Sequence, residues 1–416
     1  MNNNEILQSR EERINNIKAL MRDGFNYLIV KANYPGSNKN EKGVKFLVHI
    51  FKNIIINKIK VERFFYFDSF DGPYYILETK MDKTSLKREM ILIEESHSLG
   101  RFIDLDVFSL EGSVNRKSLG YRERKCFICD NDAHVCSRNK THSINELKDK
   151  INDSIESYLV DTLKKIIEES MLIELELDPK FGLVSRATCG SHSDMDFSLM
   201  ERTIPVISPF LVQMALVGYT NNLNDAFYKI REIGKEAEKA MLKETNNVNT
   251  YKGLIFVLGF ALCALGNYII DYEGTLQNRI VSLSKPLKCD FEKMTGETFG
   301  ERAYLESKIS GARGEVINGM PTVFDNLSEL IIEKNSLLNA LTKIINKLDD
   351  TVLLKRSGSL EKYHYYKELV GNSKVSDYQE VTKKCIEEGI SFGGSADMLV
   401  VLIVLKKIKE MFDYEW

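Results

Sequence analysis

Residues 253–270 read GLIFVLGFALCALGNYII, an apolar run nearly long enough to cross a bilayer. Asn267 interrupts the run, and Asp271 and Glu273 follow it at once. The polar sequence NVNTYKG leads into it, and a second apolar segment, Met398–Leu405, is too short to span a membrane. The choice is between a membrane span and the core helix of a globular domain, and these interruptions favour the core helix.

The sequence around this helix predicts an all-α second half. Apolar residues recur at helical spacing, and no strand run or internal repeat stands out. The segments between the helical runs are rich in Gly, Asn, Thr and Asp. We therefore expect a helical bundle whose polar loops gather at one end. The other predicted helices are Leu147–Ser170, Pro205–Val217, Leu223–Thr245, Val323–Leu348 and Tyr378–Glu388.

The first half of the chain predicts an α+β domain. Gly43–Lys58 is apolar at helical spacing, and Asp71-Gly72-Pro73 and Glu111-Gly112 mark two hairpins. The change of character places the boundary near residue 150, which gives domains 1–150 and 151–416. The predicted strands are Phe25–Ala32, Arg63–Phe70, Tyr74–Thr79 and Ile103–Leu110.

Composition is that of an ordinary globular protein. Of the 416 residues, 43 % are hydrophobic and 28 % charged, and the net charge of -3 shows no basic excess for nucleic acid. The polar start, Met1–Glu12, has no apolar signal-peptide core. The cysteine count of seven is odd. It fits a reducing cytoplasm better than a disulfide framework. Neither nucleic acid nor a membrane is an expected partner.

The segment HSLGRFIDLDV, residues 97–107, carries the densest chemical signal of the first half. Asp104 and Asp106 are two positions apart, so on a strand both point to the same face. Paired carboxylates are a usual way to hold Mg²⁺ against a polyphosphate, and Arg101 and His97 are candidates for phosphate contacts beside them. A solvated strand face is the alternative.

A second signal is the spacing Cys126-x2-Cys129-x6-Cys136-x5-His142. Three thiols and one imidazole suit a tetrahedral, structural Zn²⁺. Free cysteines that pack as small hydrophobes are the alternative. Redox catalysis by the first cysteine pair is disfavoured, because no thioredoxin-like βαβ pattern surrounds it.

These blocks resemble a known family when they are read in order. SREER at 9–13, Pro35-Gly36 followed by Lys39, SHSLGRFIDLDV and RKCFICDNDAHVCSRNKTH resemble the apo-citrate lyase phosphoribosyl-dephospho-CoA transferases. The resemblance implies a nucleotidyltransferase-like fold and a metal site that includes Asp104 and Asp106. It also implies transfer of the phosphoribosyl-dephospho-CoA unit to a serine of the acyl carrier subunit, with release of pyrophosphate. Phe102-Ile103 stands where the family usually has Trp after GRL, a change expected to affect packing alone.

Five polar clusters punctuate the helices of the second half. Ser, Asn, Thr, Asp and Gly are common in caps and turns, so each cluster alone is a weak signal. Together the five clusters contain more polar residues than the short turns between the helices of a bundle need, which indicates a functional role. The clusters are PKFGLVSR with CGSHSDMD (179–196), TNNVNTYKG (245–253), GARGE (311–315), DDT (349–351) with Arg356, and SFGGSAD (391–397).

These clusters, in this order, resemble the triphosphoribosyl-dephospho-CoA synthases, whose pattern runs KPGLVDR, GAHxDM, GVNTHKG, GARGE, DTN and SPGGSAD. The resemblance implies that ATP and 3′-dephospho-CoA, with Mg²⁺ or Mn²⁺, yield triphosphoribosyl-dephospho-CoA and adenine. Attack on the ATP ribose requires a carboxylate near C1′ and cations on the triphosphate. Asp194 and Asp350 are candidates for metal or sugar charge, and His192 for catalysis. The candidates for nucleotide contacts are Lys39 in the first half and Arg186, Thr250, Lys252, Arg313, Glu315, Asp350, Arg356, Ser395 and Asp397.

The second half also departs from this family pattern. The departures leave its activity open: the alternative is a binding or docking module beside an active transferase. A malonate decarboxylase carrier as the target and a zinc-stabilised scaffold without chemistry are further alternatives. The departures are Ser185 for Asp, Phe181 and Phe392 for Pro, Tyr251 for His, Asn247 for Gly and Val352 for Asn.

Overall fold

A computed structural model of the chain describes residues 3–412. It divides into two compact units, one formed chiefly by residues up to 159 and one chiefly by residues from 160 onward. The elements up to that point are α1 (Asn3–Leu20), β1 (Asn26–Ala32), α2 (Val44–Lys58), β2 (Arg63–Phe67), β3 (Tyr74–Thr79), α3 (Lys83–Ser96), β4 (Ile103–Ser109), β5 (Gly112–Val114), α4 (Ala133–Asn139) and α5 (Ile144–Glu176), with 3-10 turns at Gly100–Phe102 and Lys117–Leu119.

The first unit is built on a five-stranded antiparallel sheet with strand order β2-β3-β1-β4-β5. Helix α1 covers one face, where Ile17 packs in a cluster with Tyr27 and Ile29. Helices α2 and α3 contact the sheet strands as well. Along β4, Leu105 and Val107 are buried, while Asp104 is half-buried and Asp106 exposed. The alternation confirms that the two aspartates share a face.

A buried carboxylate joins α1 to the sheet. Glu78 on β3 is fully buried and pairs with Arg22 at 2.5 Å and with Arg63 at 2.7 Å. The Tyr27 hydroxyl donates to the same carboxylate at 3.0 Å. Burial opposes ionisation, but the Arg63, Arg22 and Tyr27 donors outweigh it and hold the pKa of Glu78 at about 2.

The second unit is helical throughout its described residues. Its elements after α5 are α6 (Phe197–Thr220), α7 (Leu223–Glu244), α8 (Lys252–Tyr268), α9 (Leu276–Ser284), α10 (Leu287–Glu292), α11 (Phe299–Ser307), α12 (Gly311–Ile317), α13 (Pro321–Leu327), α14 (Lys334–Lys347), α15 (Thr351–Ser357), α16 (Leu360–Gly371), α17 (Tyr378–Glu387) and α18 (Gly393–Phe412), with a 3-10 turn at Val375–Asp377.

Helix α8 is the core helix that the apolar run predicts. It packs closely on α6, because a Cβ at Gly218 would lie 1.8 Å from the Cys263 carbonyl oxygen and one at Gly266 would lie 1.9 Å from the Ala215 carbonyl oxygen. By length and composition alone, Phe197–Thr220 and Lys252–Asp271 would suffice to cross a membrane. The most apolar window of the second segment is 83 % buried within the fold, as in the core helices of globular proteins.

The predicted mixed first half and helical second half are confirmed, with one helix wrong. Val323–Leu348 was expected to be one helix, but α13 ends at Leu327 and α14 begins at Lys334. The Ile331 amide donates to the Ser336 hydroxyl at 3.1 Å, a local side-chain bond that replaces helical pairing in the break.

Candidate functional sites

In the first unit, a cleft of about 750 Å³ lies beside β4. Asp104 and Asp106 both line it. Most of the other charged groups in its wall are cationic, which suits a polyphosphate ligand. These groups, with one imidazole, are Lys87, Arg116, Lys117, Glu123, Arg124 and His134.

Arg124 holds the first carboxylate of the pair. Its Nη1 donates to Asp104 Oδ1 at 2.5 Å, and its Nη2 donates to the buried Glu94. Lys31, opposite Asp104 in the β1–β4 register, places Nζ 3.9 Å from Asp104 Oδ2. Within residues 3–412, no cationic side chain lies within 4.0 Å of Asp106. Asp104 is therefore neutralised, and Asp106 offers a free carboxylate for an added cation.

A buried charge network supports β4 from behind this cleft. Burial raises the pKa of Glu94, while Arg124, Lys87 and Arg116 oppose the rise. Lys87 donates to the Leu105 carbonyl oxygen at 2.6 Å, and burial lowers the pKa of its ammonium group. The network fixes the strand that carries both aspartates.

Three predicted site residues of this half do not line the cleft. His97 packs its ring on Phe51, with centroids 4.9 Å apart, and accepts a hydrogen bond from the Leu99 amide. Arg101 is partly buried, which lowers the pKa of its guanidinium. Lys39 donates to the Tyr34 carbonyl oxygen, and burial lowers the pKa of its ammonium group.

The predicted cysteine and histidine ligands do come together. One ligand atom from each of Cys126, Cys129, Cys136 and His142 lies within 4.8 Å of all the others. Cys129 Sγ is 3.4 Å from Cys136 Sγ and 3.3 Å from His142 Nε2. Such spacings are those of the corners of a tetrahedron around one metal ion. This cluster can hold a metal.

This cluster borders the Asp104/Asp106 cleft through the chain. Arg124 lies two residues before Cys126, and the Ala133 amide donates to its carbonyl oxygen at 2.8 Å. Ala133 and His134, between the second and third cysteines, line the cleft. A metal bound to the cluster would hold this wall of the cleft in place.

In the second unit, all five polar clusters meet at one cleft of about 900 Å³. The loops between helices thus gather at one end, as the sequence predicts. Each cluster contributes at least one residue to the lining. Among the contributors are Lys180, His192, Asp194, Asn249, Thr250, Lys252, Gly311, Arg313, Thr351, Arg356, Gly393 and Asp397.

The cations of this cleft include one that the motifs did not mark. Lys355, in the last turn of α15, lines the cleft beside Arg356. Arg356 donates to His192 Nδ1 at 2.9 Å, so that nitrogen accepts and Nε2 faces the Ser391 hydroxyl at 2.9 Å. Burial, followed by Arg356, lowers the pKa of His192. His192 is thus a neutral ring that orients Arg356.

Several predicted contacts serve as supports beneath the cleft or lie outside its lining. Asp350 is buried and accepts from the amides of Val352 at 2.9 Å and Leu353 at 3.2 Å. It also accepts from the Ser395 amide at 2.8 Å and hydroxyl at 2.9 Å, so one carboxylate caps α15 and ties it to α18.

Two more predicted contacts point elsewhere. Glu315 is buried and accepts from the Thr322 hydroxyl at 2.9 Å. Arg186 pairs with Glu176 at 2.5 Å and stacks on the Phe197 ring, so it too lies outside the lining.

Asp397 lines the cleft beside the start of α8. A Cβ at Gly253 would lie 2.1 Å from Asp397 Oδ2, so the carboxylate rests on the first turn of α8. Burial raises the pKa of Asp397 well above its ordinary range, and Asp350 and Glu174 add to the rise. The Tyr251 hydroxyl is buried in the same wall and has no hydrogen-bond partner among the described residues. Asp397 can therefore meet a substrate, whereas the Tyr251 hydroxyl is enclosed in the wall.

The departures from the family pattern are accommodated by the fold. The Ser185 hydroxyl donates to Asp178 at 2.9 Å, so an acidic side chain lies beside the position where the family has Asp. Asn247 adopts φ 69°, a left-handed conformation that asparagine tolerates better than most residues. Phe392 is fully buried, whereas Tyr251 and Val352 line the cleft and alter its wall.

Comparison with known proteins matches both halves. Residues 1–158 match the family described as apo-citrate lyase phosphoribosyl-dephospho-CoA transferase. Residues 160–415 match the family described as ATP:dephospho-CoA triphosphoribosyl transferase. The chain belongs to both families, fused in that order. The protein is a transferase enzyme. Residues 1–158 are called the transferase half below, and residues 160–415 the synthase half.

Curated relatives match either most of the chain or about two thirds of it. Protein CitXG of Leuconostoc mesenteroides subsp. cremoris is 30 % identical, over 97 % of this chain and 96 % of its own length. Protein CitXG of Haemophilus influenzae is 31 % identical, over 79 % of this chain and 78 % of its own length. The 2-(5″-triphosphoribosyl)-3′-dephosphocoenzyme-A synthase of Haemophilus ducreyi is 29 % identical, over 66 % of this chain and 98 % of its own length. The cleft near Asp397 lies in the synthase half and that near Asp104 in the transferase half.

Proposed function

We propose that the two halves make and attach one prosthetic group. The synthase half joins ATP to 3′-dephospho-CoA and releases adenine, which gives 2′-(5″-triphosphoribosyl)-3′-dephospho-CoA. The transferase half moves the phosphoribosyl-dephospho-CoA unit to a serine of the citrate lyase acyl carrier subunit and releases pyrophosphate. The observation that carries the proposal is the meeting of five separated polar clusters at one cleft in the region of the ATP:dephospho-CoA family.

In the synthase reaction, the 2′-hydroxyl of dephospho-CoA attacks C1′ of the ATP ribose. A C–O bond forms and the bond to adenine breaks; the hydroxyl loses its proton, and adenine takes up one proton on the ring nitrogen that held the ribose. We assign that hydroxyl proton to Asp397, a carboxyl group that lines the cleft beside the first turn of α8. Asp194, which is about half exposed at the cleft, faces the positive charge that develops on the sugar. Lys355 and Arg356 bind the triphosphate.

In the transferase reaction, the carrier serine attacks the α-phosphate and pyrophosphate leaves. Arg116, Lys117 and Arg124 supply the cationic wall for the departing pyrophosphate. Asp104 and Asp106 would hold a divalent ion, Mg²⁺ or Mn²⁺, which when bound neutralises polyphosphate charge. The free carboxylate of Asp106 fits this role. The antiparallel sheet that carries both aspartates on one strand is compatible with a nucleotidyltransferase-like fold.

The Cys126/Cys129/Cys136/His142 cluster fits a structural zinc ion. Four protein ligands fill a tetrahedral shell and leave no position for a substrate, as in structural zinc sites. Ligation requires reduced thiols, and every described cysteine is free. A cytoplasmic protein with domains that join near residue 150 is the arrangement we propose.

Adenine release tests the synthase half. Full-length protein with ATP, dephospho-CoA and Mg²⁺ is expected to form adenine and the triphosphoribosyl product in equal amounts, measured by chromatography. Asp397→Asn removes the base and is expected to slow release about 100-fold. Glu380→Gln, an exposed change outside the cleft, serves as the control and is expected to have no effect. Absence of adenine with the native chain would contradict the synthase assignment.

Intact mass of the carrier tests the transferase half. With preformed triphosphoribosyl-dephospho-CoA, the native chain is expected to raise the carrier mass by one phosphoribosyl-dephospho-CoA unit. The double variant Asp104→Ala, Asp106→Ala is expected to lose this activity and to keep adenine release. Normal carrier modification by the double variant would rule out the proposed metal site. Parallel reactions with a malonate decarboxylase carrier show which carrier is the target.

A further inference from the structure

A side pocket of about 360 Å³ opens next to the synthase cleft. Four residues line both spaces: Lys252, Gly253, Ala312 and Arg313. The two cations among them therefore stand where the large cleft passes into the side pocket. One ligand that occupies both spaces would have its negative charge at this junction.

The side pocket differs from the large cleft in chemistry. Its lining contains no Ser, Thr, Asn, Gln, Tyr or His side chain. Its charged groups include two ion pairs, Arg231 with Asp290 at 3.3 Å and Lys252 with Glu238 at 2.6 Å. The polar side chains of this lining are all charged: Arg231, Lys235, Glu238, Lys252, Asp290 and Arg313. The apolar lining is Met214, Ile230, Ile255, Phe256, Phe260 and Leu287.

We propose that the side pocket binds the pantetheine arm of dephospho-CoA. The inference rests on the proposed synthase function and adds the position of one part of its substrate. Dephospho-CoA consists of an adenosine, a pyrophosphate and a flexible pantetheine arm, joined in that order; the arm carries methyl and methylene groups between two amides, a hydroxyl and a thiol. The structure has the same order: a polar cleft, the cations Lys252 and Arg313, and an apolar pocket. The arm thus buries its methyl and methylene groups while the pyrophosphate stays at the cations.

Two glycines keep the pocket open. At Gly259 on α8, a Cβ would lie 2.3 Å from Met214 Sδ, so a side chain there would disturb packing. At Gly234 on α7, a Cβ would meet Met214 Cε at an ordinary 3.6 Å. A larger residue at Gly234 therefore fits the helix and projects into the pocket. Leucine is also a better helix former than glycine, so the change favours α7 itself.

Gly234→Leu tests the proposal, with Glu236→Leu on an exposed part of α7 as the matched control. Two measurements use the full-length chain: KM values for dephospho-CoA and ATP in adenine release, and calorimetric Kd values for dephospho-CoA and ADP, which lacks the arm. Gly234→Leu is expected to raise the KM and Kd for dephospho-CoA about tenfold, by loss of apolar contacts. KM for ATP and Kd for ADP are expected to stay within twofold, and Glu236→Leu to change none of the four.

Other results would overturn the assignment. Equal weakening of ADP, or a raised KM for ATP, would mean that the pocket holds a nucleotide base. Unchanged values for all ligands would mean that it holds no part of the substrate. Native binding supplies a second measurement that needs no variant: equal affinity for ADP and dephospho-CoA would refute an arm subsite. If the native chain binds dephospho-CoA more tightly than ADP and Gly234→Leu removes that difference, but no adenine forms, the subsite stands and the synthase reaction fails.

Discussion

Replacement of Cys129 by serine removes a thiol that lies 3.4 Å from Cys136 Sγ and 3.3 Å from His142 Nε2. Without bound metal, the segment from Cys126 onward loses its anchor, and Arg124 lies two residues before it. Arg124 is one of the partners of the buried Glu94, and breaking a buried ion pair costs about 3–5 kcal/mol. Since about 1.4 kcal/mol is tenfold, a loss of 3 kcal/mol lowers the equilibrium constant between the ordered and the disordered cleft about 100-fold.

The assay compares two activities of the same chain. Carrier modification by Cys129→Ser, followed by intact mass, is expected to slow by up to about 100-fold, because the ordered cleft becomes less populated when the ion pair is lost. Adenine release is expected to stay within twofold. Metal analysis is expected to find one zinc per native chain and none in the variant. Cys289→Ser, an exposed cysteine outside the cluster, is the matched control. A zinc-free variant that modifies the carrier at the native rate would refute the reasoning.

Three further predictions concern other parts of the fold. Asp350→Asn removes a charged acceptor of four hydrogen bonds and is expected to destabilise the N-termini of α15 and α18 by about 3 kcal/mol. The measurement is hydrogen exchange, which should become faster at both helix ends. Unchanged exchange would contradict this prediction. The depressed pKa of Glu78, about 2 against an ordinary 4.5, gives stability that is present above pH 4.5 and lost as the pH falls towards 2. Glu78→Gln is expected to lower the free energy of unfolding by about 3 kcal/mol at pH 7 and to flatten its dependence on acid pH. The measurement is urea unfolding followed by peptide-resolved hydrogen exchange. A variant whose stability varies with pH like that of the native chain would count against this assignment. Lys355→Met is expected to raise the KM for ATP about tenfold, by loss of one phosphate contact, and equal KM values would exclude Lys355 from the triphosphate site.

Much of the fold follows from local pattern. Strand alternation places Asp104 and Asp106 on one face, and the apolar run around Val257 gives the core helix. Helix α3 was not predicted, although Asp82 caps it through a 2.9 Å bond from the Ser85 amide. Its apolar face becomes clear only against β4. The spacing of apolar residues and the capping residues therefore predict whether a segment is a helix or a strand. For a segment of mixed composition, the elements that it packs against decide.

The candidate sites follow the sequence less closely. The meeting of the five clusters and of the four metal ligands agrees with their motif spacing. Asp350 and Glu315 look like site residues in the motifs, but burial and hydrogen bonds make them supports. Lys355 lies in no motif, and only the turn of α15 brings it to the cleft. Sequence shows which polar residues are unusual, and packing decides which of them face a ligand.

The two clefts also differ in when synthesis can complete them. The cleft lining and metal ligands of the transferase half all come from residues 33–142. The synthase cleft needs contributors from Glu174 to Val400. Translation at about 5–20 residues per second separates the two endpoints by about 10–50 s. A chain cut short after residue 160 would therefore retain every residue that lines the transferase cleft and lack the synthase cleft, but it would lose residues 269–271 and 411–412, which belong to the first compact unit.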